Sequence, residues 1–219
     1  VADIVGLDQN NRRLVAAGME RIRSGRARPG IRALFEVAGK SIRQATVADL
    51  GLLIGPRINA AGRLADMSLG IECLLATRDE TALEMASELD RINRERREIE
   101  QVMRDQAEAA TVDCPPGQRS LVVFDPGWHQ GVVGLVATRI KDRHHRPCIA
   151  LAPETDGDEN GTLRGSGRSI AGLHLRDVLD VIDRRHPGLL LRFGGHAMAA
   201  GLTLAAGGRV AERRDIPAG

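Results

Sequence analysis

Aromatic side chains are almost missing from this chain, which has no tyrosine, one tryptophan and three phenylalanines in 219 residues. That scarcity excludes a surface of stacked rings as the main way of holding bases, so contact with nucleic acid would have to be directed at the backbone. Lysine is scarce too: only Lys40 and Lys141 stand among 31 basic residues, and arginine, the better bidentate partner for phosphate, supplies the rest. The three cysteines, Cys73, Cys114 and Cys148, are widely spaced and never form C-x-x-C. This argues against a disulfide framework and predicts reduced, partly buried thiols in a cytoplasmic protein. No signal peptide opens the sequence, and no apolar run is long enough to span a bilayer, so no membrane contact is expected.

The net charge of +2 is too small to prove a nucleic-acid partner, but its distribution is uneven. Residues 12–43 hold nine Lys/Arg against two Asp/Glu, whereas residues 44–118 hold eight against fourteen. The chain is long enough for one large domain or two small ones. It starts at Val1 in the middle of an apolar pattern, from which we expect a piece of a longer protein.

The pattern predicts a strand over residues 1–7 and helices over 10–24, 31–37 and 46–54. Thr77 and Glu80 read as a capping box opening a helix of thirty-odd residues, with Leu83, Ala86, Leu89, Ile92, Ile99, Val102, Met103 and Ala110 as its apolar stripe. Residues 91–100 would form its wet face. Cys114-Pro115-Pro116-Gly117 ends it. Strands are then expected at 121–124, 148–151, 162–164 and 189–193, with helices at 132–141 and 173–184 between them. Such alternation indicates an α/β layer architecture. The loop at 156–161 imitates the start of a calcium-binding loop, but Gly167 stands where the bidentate glutamate should be, so a hairpin turn is preferred. His144 and His145 are read as an exposed helix end.

Four strings carry chemistry. Gly194-Gly195-His196-Ala197-Met198-Ala199-Ala200-Gly201 puts an imidazole beside paired glycines that let a phosphate approach backbone N–H groups; a tight turn beside a core histidine is the competing reading. Gly165-Ser166-Gly167-Arg168-Ser169 offers flexible backbone donors, two hydroxyls and a guanidinium. Gly55-Pro56-Arg57-Ile58-Asn59-Ala60-Ala61-Gly62-Arg63 sets two arginines across a Pro/Gly-bracketed turn. Trp128-His129-Gln130-Gly131 precedes a predicted helix N-terminus, where an anion is favoured. Trp128 is placed equally well on a base or in the core. Together the strings point to an anionic substrate.

In this order, and with the intervening text, these motifs resemble the RecJ branch of the DHH phosphoesterase family over nearly the whole chain. The resemblance implies a 5′-to-3′ exonuclease for single-stranded DNA in repair and recombination, using Mn2+ or Mg2+ and open to protein partners in repair. It implies the end of a DHH domain at 1–45, a helical connector with the long linking helix at 46–118, a DHHA1-like α/β domain at 119–205, and a tail or further segment at 206–219. It makes His196 and Asp3 catalytic, with Asp3 a metal ligand. Arg57, Asn59, Arg63, His129, Gln130, Ser166, Arg168, Ser169, Gly194 and Gly195 become substrate-binding residues. The family's Asp-x-Asp and Asp-His-His motifs are absent, as is its OB domain; Asp142-Arg143-His144-His145 is no substitute. We therefore expect the DHH half and the OB domain to be missing parts of the same chain, and no hydrolysis by this piece alone. Two alternatives stay open: a non-catalytic nucleic-acid or phosphate-binding module, and a DHH phosphoesterase acting on oligonucleotides or small phosphorylated nucleotides.

Overall fold

The computed structural model describes residues 6–115, 117–154 and 161–205, which leaves the strand expected at 1–7 mostly outside, along with Asp3 and the acidic loop at 156–160. The chain divides into two units, residues 1–98 and 99–219.

The first unit is helical. α1 (Gln9–Arg23) and α2 (Pro29–Val37) follow the expected apolar periodicity, and Pro29 stands where a missing N–H costs nothing. Thr46 and Asp49 form a reciprocal capping box around the short α3 (Val47–Asp49), and the Asp49 carboxylate also lies 3.6 Å from Lys40. A π-helical turn, Leu50–Ile54, then leads straight into α4 (Gly55–Leu64). The turn expected at 55–63 is thus a helix. Pro56 would clash with the carbonyl four residues back and cannot donate to it; the wider π turn, in which the Gly55 N–H reaches Leu50 O, removes both problems. α5 (Ser68–Leu75) has too few residues to show a period and was not expected. The core gathers Leu34, Phe35, Ile54, Ala61 and Cys73 against Ala82, Ala86 and Leu89 of α6 (Asp79–Thr111).

Helix α6 contributes its first twenty residues to one unit and the rest to the other. It starts at Asp79, one residue later than a Thr77 cap would place it, and the Ala82 N–H donates to Arg78 O ahead of it. Its buried residues are Ala82, Ala86, Leu89, Asp90, Ile92, Asn93, Met103, Ala107 and Thr111, whereas Leu83, Val102 and Ala110 of the expected stripe are exposed. Residues 94–102 include no buried position, in keeping with the charged run there.

The second unit is a mixed five-stranded sheet in the order β1-β2-β3-β5-β4, formed by β1 (Leu121–Phe124), β2 (Cys148–Pro153), β3 (Leu163–Arg168), β4 (Leu190–Gly195) and β5 (Ala199–Leu204). Only β1 and β2 run parallel. They are joined through α7 (Val133–His144), which ends at a left-handed His145; the His-His pair is a helix end as expected, but His145 is exposed and His144 is half-buried. α7 packs on β2 and β3, while α8 (Leu175–Arg185) packs on β4 and β5. They lie on opposite faces: Ser166 and Arg168 touch α7, whereas Gly167 between them faces Leu175 of α8. α8 lays Leu175, Leu179 and Ile182 on Leu190, Leu202 and Leu204.

Two differences from the sequence reading bear on the site. The glycine-rich string at 165–168 is not a loop but the continuation of β3, and residues 199–204, to which the pattern assigns no element, form a strand. Gly165 and Gly167 serve packing: a Cβ on Gly165 would lie 2.6 Å from Leu151, and one on Gly167 would lie 2.7 Å from Leu175. Among the described residues no helix is long and apolar enough to cross a membrane.

Candidate functional site

Because directly opposed residues of antiparallel strands share a face, the registers define what the α7 side of the sheet displays. Arg168 opposes Ala199. The next row is Ser166, Gly201 and Gly194; the one after is Arg164, Thr203 and Arg192. Helix α7 covers the β2 and β3 part of this face. Over β5 and β4 a trough with a cavity of about 280 Å³ opens, bordered by Glu154, Arg164, Arg192, Gly194, Gly201 and Thr203. With hydrogen for side chains at Gly194 and Gly201, its floor is bare backbone, and a Cβ at either would meet nothing within 4 Å.

At the covered border of the trough, Arg168 Nη1 donates to Ser166 Oγ at 2.7 Å and to Gly167 O at 2.9 Å. Ser166 accepts from the guanidinium, which orients its own O–H toward another acceptor. Both groups lie against the first turn of α7, where a Cβ on Gly134 would sit 2.8 Å from Arg168 Nη2 and 3.0 Å from Ser166 Oγ. That turn has no side-chain cap and no acidic residue. A guanidinium beside the positive end of a helix dipole is unfavourable by itself, by about 0.3–1 kcal/mol, and an anion between them reverses the sign. The arrangement is therefore suited to a phosphate.

The hairpin linking β4 to β5 carries His196, which is exposed. Its Nδ1 accepts from Met198 N–H at 3.3 Å, so a neutral ring carries its proton on Nε2. The hairpin is fixed from below, since Ser169 N–H donates to Met198 O and Leu175 N–H to Ala197 O, both at 2.9 Å. Gly195 has φ +147°, and a Cβ there would lie 2.3 Å from Ala199 O, so glycine is required at this bend.

Other expected site residues are placed differently. Ser169 is buried and donates its hydroxyl to Leu173 O at 2.8 Å, serving the loop before α8. His129, half-buried, accepts from Gly131 N–H through Nδ1 at 3.1 Å. Gln130 donates to Glu154 O and accepts from Arg164 Nη1 at 3.4 Å, so it orients a border arginine. Trp128 is 5% exposed and donates Nε1–H to Gln106 at 2.8 Å, which makes it a core residue.

In the helical unit, Arg57 is 7% exposed and points inward: Nε and Nη2 reach Asp90 at 2.9 and 2.8 Å, and Nη1 donates to Leu53 O inside the π turn. Asn59 is exposed and Arg63 half-buried, one turn apart on α4. Arg164, Arg192 and Asp90 escaped the sequence reading. The alternation of Arg164, Ser166 and Arg168 was a strand signal, masked by the glycines between them.

Among the described residues no group of three or more His, Cys, Asp or Glu could hold a metal ion, and Asp3 lies outside them. The thiols are free; burial pushes Cys148 up to about 12 and raises Cys73.

Comparison with known proteins fits this geometry. Residues 117–215 match the family model of the DHHA1 domain. The single-stranded-DNA-specific exonuclease RecJ of Escherichia coli is 54% identical over 211 residues, covering 93% of this chain and 35% of that protein. Its Bacillus subtilis namesake is 36% identical over 206 residues, covering 94% of this chain and 25% of that protein. A crystal structure of RecJ in complex with Mg2+ from Thermus thermophilus superposes with a TM-score of 0.78 at 31% identity, covering 93% of this chain and 30% of that one. Exonuclease RecJ bound to manganese gives 0.74 at 32%, covering 93% and 48%. The chain spans about a third of the length of the E. coli relative. The chain thus carries the DHHA1 match over residues 117–215 and is similar along nearly its whole length to a part of RecJ.

Proposed function

We propose that this chain is the strand-gripping part of a 5′-to-3′ single-stranded-DNA exonuclease that acts in DNA repair and recombination. The observation that carries the reading is the Arg168–Ser166 pair set against the uncapped, acid-free first turn of α7 beside a glycine-floored trough. Arg168 and Ser166 would hold phosphate oxygens through charge-assisted bonds. Gly194 and Gly201 would let the sugar-phosphate chain lie close to the sheet. His196 would offer its Nε2–H to a phosphate oxygen at the hairpin tip, the tautomer being set by Met198 N–H. Asn59 and Arg63 remain candidates for strand contact on the exposed side of α4, while Arg57 and Ser169 would act by holding their surroundings in place.

Phosphodiester hydrolysis in two-metal sites uses Mn2+ or Mg2+ to activate water and stabilise the leaving oxygen. The described residues do not fit such a site, and the chemistry is assigned to a DHH part lying beyond this chain, with Asp3 as the one contribution expected from here. Domain limits of 1–45, 46–118 and 119–205 go with this reading.

The test is binding of a 5′-phosphorylated oligothymidylate to the purified chain at two salt concentrations. We expect a steep salt slope, and a loss of about 10- to 100-fold for Arg168→Ala that is equal for different base sequences. Unchanged affinity would refute the phosphate role. A preference for short dinucleotides over long strands would favour a small-substrate phosphoesterase, and manganese-dependent nucleotide release by the chain alone would overturn the division of labour.

A further inference from the structure

The trough has a second positive end that the grip just described does not use. Arg164 and Arg192 oppose each other across Thr203, two residues along β3 from Ser166. Two residues of extended strand cover about 6.7 Å, close to the separation of neighbouring phosphates in an extended single strand. Both arginines are exposed, and neither has a carboxylate ion-pair partner among the described residues. Arg164 is oriented by Gln130 Oε1. Glu154 also borders the cavity, so that among the described residues two guanidiniums stand there against one carboxylate.

The placement of Arg192 is what separates this pair from an ordinary surface charge. Leu190 opposes Leu204 on the α8 face, and regular pairing would next match Leu191 with Thr203 and Arg192 with Leu202, burying the guanidinium beneath α8. The register instead shifts between Leu190 and Arg192, so Leu191 is the extra residue and Arg192 meets Thr203. Leu191 is left 52% exposed. A bulge that exposes a leucine in order to turn an arginine toward a trough aims a side chain, as bulges beside sites do.

We infer that Arg164 and Arg192 form a second phosphate subsite, which takes the phosphodiester one nucleotide along from the phosphate held by Ser166 and Arg168. The inference rests on the proposed strand-gripping function and adds what the site counts: two successive phosphates rather than one. The chain therefore distinguishes a phosphorylated dinucleotide from a mononucleotide, holding the substrate more tightly than a released product.

Calorimetric titration of the purified chain with thymidine 5′-monophosphate and with 5′-phosphorylated dithymidylate tests it. Wild type is expected to bind the dinucleotide at least about tenfold more tightly, the scale of one charge-assisted contact. Arg164→Gln with Arg192→Gln should bring the dinucleotide down to the mononucleotide's affinity and leave the mononucleotide within about twofold. Circular dichroism should confirm that the double variant keeps the wild-type fold. Arg168→Ala should weaken both ligands. Equal binding of the two ligands by wild type, or discrimination that survives the double variant, overturns the second subsite while leaving the grip intact. Mononucleotide binding that is indifferent to Arg168→Ala overturns the underlying reading instead, and absence of binding by either ligand overturns both.

Discussion

Replacing Arg57 by alanine separates a structural role from a substrate contact, and the geometry sets the size of the effect. Arg57 and Asp90 are 9% and 10% exposed at their side chains, and the guanidinium spends three bonds internally, two on Asp90 and one on Leu53 O. Removing one member of a buried pair costs about 3–5 kcal/mol when the remaining charge has no other partner. Asp90 keeps one: Arg94 Nη2 stays 2.6 Å from its outer oxygen, from a side chain that is 68% exposed. The expected loss is therefore about 2–3 kcal/mol, at and below the lower end of that range. Asp90→Ala should cost a similar amount, since it strands the buried Arg57 with Leu53 O as its one remaining acceptor among those described. The double substitution should cost less than the sum, with a coupling of about 1.5 kcal/mol or more. Urea denaturation of the four proteins, followed by far-UV circular dichroism, gives these values. A coupling below about 0.5 kcal/mol would refute the reasoning and return Arg57 to the list of groups available to DNA.

Three further outcomes follow from the same structure. Gly195→Ala should lower stability by about 1–3 kcal/mol, because φ +147° and the Ala199 carbonyl 2.3 Å away leave no room, whereas Gly194→Ala should fold within about 0.5 kcal/mol of wild type but weaken oligonucleotide binding; thermal unfolding with titration checks both, and equal stability of the two would contradict the hairpin geometry. The Asp49 carboxyl is held below its ordinary value of 3.8 by bonds from the Thr46 hydroxyl and N–H and by Lys40, so its stabilising effect is present above that value and fades as pH falls through the depressed one. Wild type and Asp49→Asn should accordingly differ in melting temperature near neutrality and converge in acid; a gap that persists in acid would exclude the linkage. Cys114 should react with a thiol reagent in the native protein well before Cys148 and Cys73, whose thiols burial keeps protonated, and simultaneous modification of all three would show that both the sheet and the helical core open on that timescale.

Elements with a clear period were legible in the sequence: β1 has the expected limits, and α1, α2, α7 and α8 lie within a few residues of theirs. What resisted reading was glycine. In residues 163–168 glycines alternate with Arg164, Ser166 and Arg168, and a string that looks flexible is a flat central strand whose glycines admit Leu151, Leu175 and Leu202. Residues 199–204 had the same fate, since small residues carry no hydrophobic alternation until packing explains them. Pro56 looked like punctuation, and no local rule foretells that a π turn absorbs it. Arg168 and Ser166 were found by residue type alone. Arg57 was misplaced for the complementary reason: composition does not reveal that Asp90, 33 positions onward, will claim it. Arg192 could not be found without the register, because its face depends on one uncounted residue.

That uncounted residue gives β4 a parity. Upstream of Leu191 the strand is in phase with the leucine core; downstream it is in antiphase, so Arg192 and Gly194 share the trough while Phe193 and Gly195 pair toward Leu202 and Ala200. Exchanging Leu191 for another residue leaves that phase untouched, and so would losing it, because Arg192 would then follow Leu190 directly and still meet Thr203; pairing Leu191 in line with Thr203 is what would move every later position to the other side and stand Phe193 where Gly194 keeps the floor open. The lining of the trough and the lining of the core are thus one step of pairing apart, exchanged by a slip of register with no residue changed.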